Sequence, residues 1–452
     1  MLPSVAQVPN TLTPAEKIYG LSKFWQEVNY NFVYLDKIDK TKWDEAYQKL
    51  ITTVAQTPND YQYYLQLQRF CALLKDGHTN VNFPRSIEVM NSKFGDYRLM
   101  LQNIENKAIV VHVNASKKEE IPIGSEIIEV NGQPTAAYLS EQVIPYIASS
   151  TSYILQDWGI RDLLKGLVGD TYNVKIKKPN GKIIALALTH QPTREEAVYP
   201  EFDPPKGLLD FKWLPNGIAY LALNSFADTK IDSLFIQKLP ELYKAKGLVI
   251  DLRDNTGGST EIGTSILKYL TNDKVLYGSR SRSRLHIGTY KAWGGYIEPK
   301  DTVAGKKEWE FSKQDALKAY NIARGTYYDY FSYSPDTIRL AALRLVVPTV
   351  LLVGHNTASA AEDFLVAASN QKHMVRVGEN SFGSTGQPLS FDLPGGGSAR
   401  VCTKQDQYPD GRDFVGVGIV PDIAVKPTLK DYLARRDPAL TRAIAYLKNK
   451  VK

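Results

Sequence analysis

One stretch constrains this 452-residue chain more than any other: VGHNTASAAEDFLVAASN, from Val353 to Asn370. It follows LVVPTVLLV, an apolar run rich in β-branched residues that reads as a buried strand. From Ala358 onward Ala, Glu, Phe, Leu and Val recur at helical spacing, so a helix is expected to begin near Ser359. His355, Asn356 and Thr357 make the turn between them. A buried strand that runs straight into a helix calls for an α/β layer. A serine in the first turn of such a helix has its hydroxyl in the open. The free N–H groups of the helix start lie beside it and favour developing negative charge. The same position also suits an ordinary cap, because Ser and Thr are common N-caps. The rest of the chain has to decide between a cap and a nucleophile.

The flanking sequence supplies more strands and helices. Thr13-Pro14-Ala15-Glu16 combines a cap, a proline at the first helical position and an early acid. Further helices fit Trp43 to Val54 and Tyr61 to Leu74, so residues 12 to 76 read as helical. Lys75 to Thr79 stops the third helix, and Thr79 to Phe83 alternates like a strand. Residues 86 to about 191 change texture, with short β-like runs NKAIVVHV and TYNVKIKK and the turn Pro179-Asn180-Gly181. Prolines and acids from Glu195 to Pro205 suggest a linker. GIAYLALNSFAD then reads as a strand, Lys230 to Lys244 as a helix, and GLVIDLRDNTGGSTEIGTSILKYL as strand, glycine turn and helix. Tyr277 to Arg339 is aromatic and irregular, with one helix expected around Lys313 to Arg324. The tail, Thr428 to Lys448, reads as helical.

Length predicts two or three domains. Composition enters mainly by exclusion. A net charge of +7, with Lys and Arg dispersed, gives no basic run for nucleic acid. Two cysteines, Cys71 and Cys402, cannot build a disulfide framework. No apolar run reaches transmembrane length. The first residues, MLPSVAQVPNTLTP, show neither the basic nor the apolar region of a signal peptide. No Cys/His or His/carboxylate cluster has the spacing of a zinc site, and no cofactor is implied.

Four stretches, in order, resemble the serine peptidases that include the tail-specific (C-terminal processing) peptidases and the tricorn core protease. They are DGHT at Asp76–Thr79, a PDZ-like Gly124–Gly132, LVIDLRDNTGG at Leu248–Gly258, and NTASAAE at Asn356–Glu362 followed by VGENSFGSTGQ. VGIVPDI, Val417–Ile423, resembles the family's closing motif. The resemblance implies an α/β multidomain chain. Residues 1–85 would form an N-terminal helical domain, 86–200 a PDZ-like β-rich domain, and 201–452 a peptidase core like that of ClpP and crotonase. It implies a peptidase acting on polypeptides, either an endopeptidase or a carboxy-terminal trimming enzyme. Relatives of this architecture are commonly exported, so a periplasmic or cell-envelope setting is expected. Oligomeric state is not indicated.

By the same resemblance Ser359 is the nucleophile. Serine needs a base within hydrogen-bond reach and N–H donors for the oxyanion. Ala360, next to the serine, is one candidate donor, and Gly257 or Gly258 the other, because glycine lets backbone approach a ligand. Many tail-specific members carry a lysine base after Phe-Gly, but here Phe382-Gly383 is followed by Ser384. Gln387 also falls one residue early. Tricorn-like members bring a histidine from the N-terminal region, which makes His78 the expected base, with a pKa suited to proton transfer near neutrality. Their serine before the histidine is Gly77 here, and Val415 stands where an acid is expected. The group orienting His78 is left open among a backbone carbonyl, Asp76, Asp410 and Asp413. His355 is expected to cap the turn or face solvent, Asp251 and Arg253 to form a structural ion pair, and Glu362 and Glu379 to be structural. The aromatics from Tyr290 to Tyr333 are expected to pack, with a groove wall or lid as the other reading. The rival from another class is a non-catalytic peptide- or ligand-binding protein on the same fold. A crotonase-type acyl-CoA enzyme is a second rival.

Overall fold

The computed structural model describes residues 10–450; the reading of the first nine residues as lacking a signal peptide lies outside them. The organising layer is a six-stranded sheet. Its strand order is Leu209–Leu214, Ile218–Leu223, Gly247–Asp251, Thr349–Val353, Met374–Gly378 and Ile423–Ala424. The first pair is antiparallel and the others are parallel. Gly247–Asp251 and Thr349–Val353 are buried at every position, as expected of central strands covered on both faces. On one face lie helices Lys230–Leu242, Thr260–Lys268 and Ala360–Ala368, through Phe235, Ile266 and Phe364. On the other, helix Pro438–Lys448 packs Ala439, Ala443 and Leu447 against Ile218, Val249, Val350 and Leu352.

Three helices precede this layer, Pro14–Asn31, Lys40–Ala55 and Asp60–Ala72. The first starts at the expected cap, which forms a capping box with Thr13 and Glu16 bonding reciprocally. These helices do not close a core of their own. Phe24, Trp43, Leu67 and Phe70 belong to the same buried cluster as Val401, Leu221 and Phe364. The separation at residue 85 therefore falls inside a continuous core. Strand Asn80–Asn82 pairs antiparallel with Ser398–Cys402, which in turn pairs with Pro388–Asp392. This pairing carries the DGHT segment onto the α/β layer.

Residues 93 to 199 form a second, antiparallel sheet with its own core, including Leu99, Val110, Ile127, Ile160 and Ile176. Asn131 and Gly132 turn with positive φ after strand Glu126–Val130. The expected linker is partly ordered, because Val198–Tyr199 pairs with Val113–Asn114. Strand Leu209–Leu214 was not expected from sequence. It is an edge strand with no fully buried position, so the apolar signal is weak. The tail forms two helices rather than one, Leu429–Leu433 and Pro438–Lys448. Arg435 takes a left-handed φ of 49° and Asp437 caps the second helix ahead of Pro438. A proline is accommodated at a helix start and not inside one. Among the described residues no helix is long and apolar enough to cross a membrane.

Candidate active site

Ser359 stands at the junction of strand Thr349–Val353 and helix Ala360–Ala368, with φ 56° and ψ −124°. A non-glycine residue in that region is strained, and such strain persists only where the surroundings fix it. Two contacts do so here. The Ser359 N–H donates to the Glu362 carboxylate at 3.2 Å and to the Ser384 carbonyl at 3.3 Å. Gly257 closes the other side, since a Cβ there would lie 2.7 Å from the Ser359 Cβ.

Glu362 holds more than the serine. Its carboxylate also accepts from the Ser381 hydroxyl at 2.5 Å and from the N–H groups of Gly383 and Ser384 at 2.8 and 3.2 Å. Burial pushes this carboxyl up to about 8, against the four donors that pull it down. Its structural role is thus to suspend the loop Ser381–Ser384 from the first turn of the serine's helix.

That loop meets His78. His78 Nε2 lies 3.4 Å from Ser359 Oγ, and His78 Nδ1 lies 2.7 Å from Ser384 Oγ. Ser384 Oγ is in turn 3.5 Å from Asp76 Oδ1, which also accepts from Ser150 at 3.4 Å. The other Asp76 oxygen accepts from Thr79 at 2.6 Å. A proton on Nδ1, donated to Ser384, leaves Nε2 free to accept from Ser359, the tautomer that proton abstraction requires. Burial, with Arg400 and Lys404 nearby, lowers the His78 pKa to about 4, so the ring is neutral near pH 7. Gly77 is small of necessity. A Cβ there would meet the Phe382 ring at 2.7 Å and Ser384 Cβ at 3.1 Å.

The group that faces His78 Nδ1 is therefore Ser384, which sequence reasoning passed over. It occupies the place where the resemblance calls for a lysine. Asp413 instead accepts from Gln405, Gln407 and Lys37, and Asp410 from Arg412. Neither bonds to His78. Gln387 is exposed.

The three expected oxyanion donors divide. The Gly257 N–H donates to Asn255 Oδ1 at 2.9 Å and is committed. Among the described residues the N–H groups of Gly258 and Ala360 donate to no acceptor. Ala360 is the first residue of its helix, where an unbonded N–H is the rule. Gly258 has φ 137°, and a Cβ there would fall 2.1 Å from the Phe226 backbone, so only glycine fits.

His355 is neither a cap nor solvent-facing. Its Nδ1 lies 2.5 Å from Asp157, its Nε2 lies 3.8 Å from Glu379, and its ring stacks on Tyr153. Asp157 and Tyr153 sit on helix Ser152–Arg161, so this histidine ties the second sheet unit to the α/β layer. Glu379 is its second acidic neighbour. Arg253 pairs with Asp251 at 2.6 Å, as expected, and adds Asp437 at 2.8 Å. Tyr290, Trp293 and Tyr296 pack with Trp309 and Phe311.

This fold, with its strained serine facing a neutral histidine, is the architecture of a serine peptidase. Residues 217–425 match the model of peptidase family S41, and the chain is a serine peptidase. The carboxyl-terminal-processing protease of Picosynechococcus sp. is 22% identical over 90% of this chain and 82% of its own length. Carboxy-terminal processing protease CtpB of Bacillus subtilis is 23% identical over 94% of this chain and 72% of its own. Among solved structures, mature CPAF superposes with a TM-score of 0.65 at 17% identity, covering 96% of each chain, a likeness of fold.

Proposed function

We propose that Ser359 is the nucleophile and His78 the general base, with Ser384 orienting the imidazole. The observation that carries this is the hydroxyl–imidazole–hydroxyl line, in which both His78 nitrogens face serine oxygens at 3.4 and 2.7 Å. Ser359 Oγ attacks the peptide carbonyl as His78 Nε2 takes its proton. The C–N bond breaks as the imidazolium returns that proton to the leaving amine, and water then hydrolyses the acyl-enzyme by the same route. Gly258 and Ala360 N–H groups hold the oxyanion. Gly257, whose N–H is already bonded, serves by letting the backbone approach Ser359.

The substrate is a polypeptide. We take it to be cut near its C-terminus, on the strength of the processing proteases the chain resembles. Residues 86–200 act as a PDZ-like unit that holds an extended segment by strand addition. Residues 1–85 act as a helical unit that delivers His78, although their core is shared with residues 201–452. Export to the periplasm or cell envelope belongs to the same reading, and fractionation of the native host checks it. The non-catalytic alternative drew on the absent lysine and the incomplete triad. His78 with Ser384 supplies what those gaps left open.

The test is covalent labelling by a fluorophosphonate probe. The wild type should be labelled stoichiometrically and Ser359→Ala not at all. An unlabelled, folded wild type would return the chain to the binding-protein alternative.

A further inference from the structure

Asp76 is 1% exposed, and three hydroxyls converge on its carboxylate. Thr79 Oγ1 lies 2.6 Å from Oδ2, and the Oγ atoms of Ser150 and Ser384 lie 3.4 and 3.5 Å from Oδ1. Each hydroxyl also meets a nitrogen on its other side. Thr79 Oγ1 accepts from the Cys402 N–H and Ser150 Oγ from the Gly77 N–H, both at 3.0 Å. Ser384 Oγ faces His78 Nδ1 at 2.7 Å. A hydroxyl has one proton to donate and lone pairs to accept with, so it can serve both sides at once. Thr79 and Ser150 accept from backbone and donate to Asp76. Ser384 stands between His78 and the same carboxylate.

This arrangement decides something that Ser384 alone leaves open. Its hydroxyl can accept from a protonated Nδ1 or donate to a bare one. In the first case Nε2 is bare and can take the Ser359 proton. In the second the proton sits on Nε2, and the ring cannot act as a base toward Ser359. The first case requires another acceptor for the Ser384 proton. Among the described residues, Asp76 Oδ1 is the only other partner of Ser384 Oγ. An ionised carboxylate can only accept. Burial pushes the Asp76 carboxyl up, while Thr79, the His78 N–H, Arg400 and Ser150 pull it down. A separation of 3.5 Å is long for such a bond, and catalytic hydrogen bonds commonly shorten once substrate is bound.

We propose that Asp76 is a positioning residue that fixes the tautomer of His78 through Ser384. The role rests on the reading of His78 as the base. Asp76→Asn separates the two tautomers. Thr79 accepts from Cys402 and must still donate, so the amide oxygen takes the place of Oδ2 and the NH2 turns toward Ser150 and Ser384. Ser384 then accepts from the amide and turns its own proton to Nδ1, which leaves the ring proton on Nε2.

The test reads the ring nitrogens by NMR in full-length, histidine-labelled protein at pH 8, which favours the carboxylate. The His78 signals are identified by their loss in His78→Gln. Wild type should show a protonated Nδ1 and a bare Nε2, and Asp76→Asn the reverse. Fluorophosphonate labelling of Asp76→Asn should slow by about 10²-fold or more, as expected of a wrong tautomer, and by more than in Ser384→Ala. Adding Ser384→Ala to Asp76→Asn should speed labelling at least about fivefold over Asp76→Asn alone, because no hydroxyl is left to donate to Nδ1. A carboxylate with a structural task alone would give no such recovery. A bare Nδ1 in the wild type would overturn the proposal, whether or not the variants fold. So would an unchanged tautomer in Asp76→Asn, or a double variant no faster than the single one. The NMR needs no turnover, so an unlabelled wild type would end the peptidase reading and leave the tautomer result standing.

Discussion

Two histidines lie around the turn that carries Ser359, and their surroundings assign them opposite work. His78 is buried among hydroxyls, and burial, with Arg400 and Lys404 disfavouring the cation, lowers its pKa to about 4. His355, four residues before the serine, is flanked by Asp157 and Glu379. Burial works against its charged form, but the hydrogen bond and charge of Asp157, with Glu379, outweigh it and raise its pKa. One ring is thus held neutral and able to accept a proton, the other is biased toward a cation that pairs. Sequence proximity alone would favour His355 as the serine's partner. Environment, and not spacing along the chain, separates the proposed base from the tie.

The comparison breaks most directly at His78. His78→Ala should abolish fluorophosphonate labelling and lower kcat/KM by about 10³-fold or more, given what removal of a triad member costs. Circular dichroism and the melting temperature should remain close to wild type. Labelling at the wild-type rate would mean that another group is the base. The pH profile sharpens the same point. The base works when neutral, and its folded pKa is depressed, so kcat/KM should stay high as pH falls through 6.5 and decline only near pH 4. An acid limb near 6.5 would place the working histidine in water-like surroundings and contradict the buried geometry.

Ser384→Ala comes next in size. Removing a neutral hydrogen bond to the ring costs about 1 kcal/mol, which corresponds to roughly a fivefold to tenfold fall in kcat. KM should hardly move, because substrate does not touch Ser384 in this reading. A loss confined to KM would make Ser384 part of the substrate groove instead. Labelling of this variant should persist at a reduced rate, in contrast to His78→Ala.

Ser384 also shows where the sequence stopped being informative. Ser359 and His78 were proposed from the short motifs NTASAAE and DGHT through their resemblance to a peptidase family, since the strand-to-helix turn by itself suited a cap as well. Both signals are local patterns. Ser384 sits in FGSTG, where a serine looks like loop filler, and its role depends on a contact 306 positions away in sequence. Gly257 was read as an oxyanion donor because glycine permits close approach. That its N–H is taken by Asn255 is a rotamer fact that spacing does not encode. The core that the N-terminal helices share with the α/β layer was hidden for a related reason. The apolar faces of those helices were legible, but whether they cover each other or Val401 is decided by topology. The six-stranded layer was readable except at its two edges, the two-residue Ile423–Ala424 and Leu209–Leu214, where a strand half open to water loses the continuous apolar run of its neighbours.

The smallest effect is expected at His355. Its folded pKa is raised above the unfolded value, so its contribution to stability is complete below about pH 6.5 and is lost as pH rises through the folded value. His355→Gln should therefore lower the melting temperature at pH 6 and leave it nearly unchanged at pH 9. The difference should correspond to about 1 kcal/mol for a partly exposed ion pair. Because the pair joins helix Ser152–Arg161 to the serine's turn, loosening it should raise susceptibility to limited proteolysis between residues 86 and 200. Fluorophosphonate labelling, which needs only His78, should hold within about twofold. A loss of labelling comparable to that of His78→Ala would show that the tie also sets the strained backbone of Ser359. The division of labour between the two rings would then fail, because holding the units together and positioning the nucleophile would be one function.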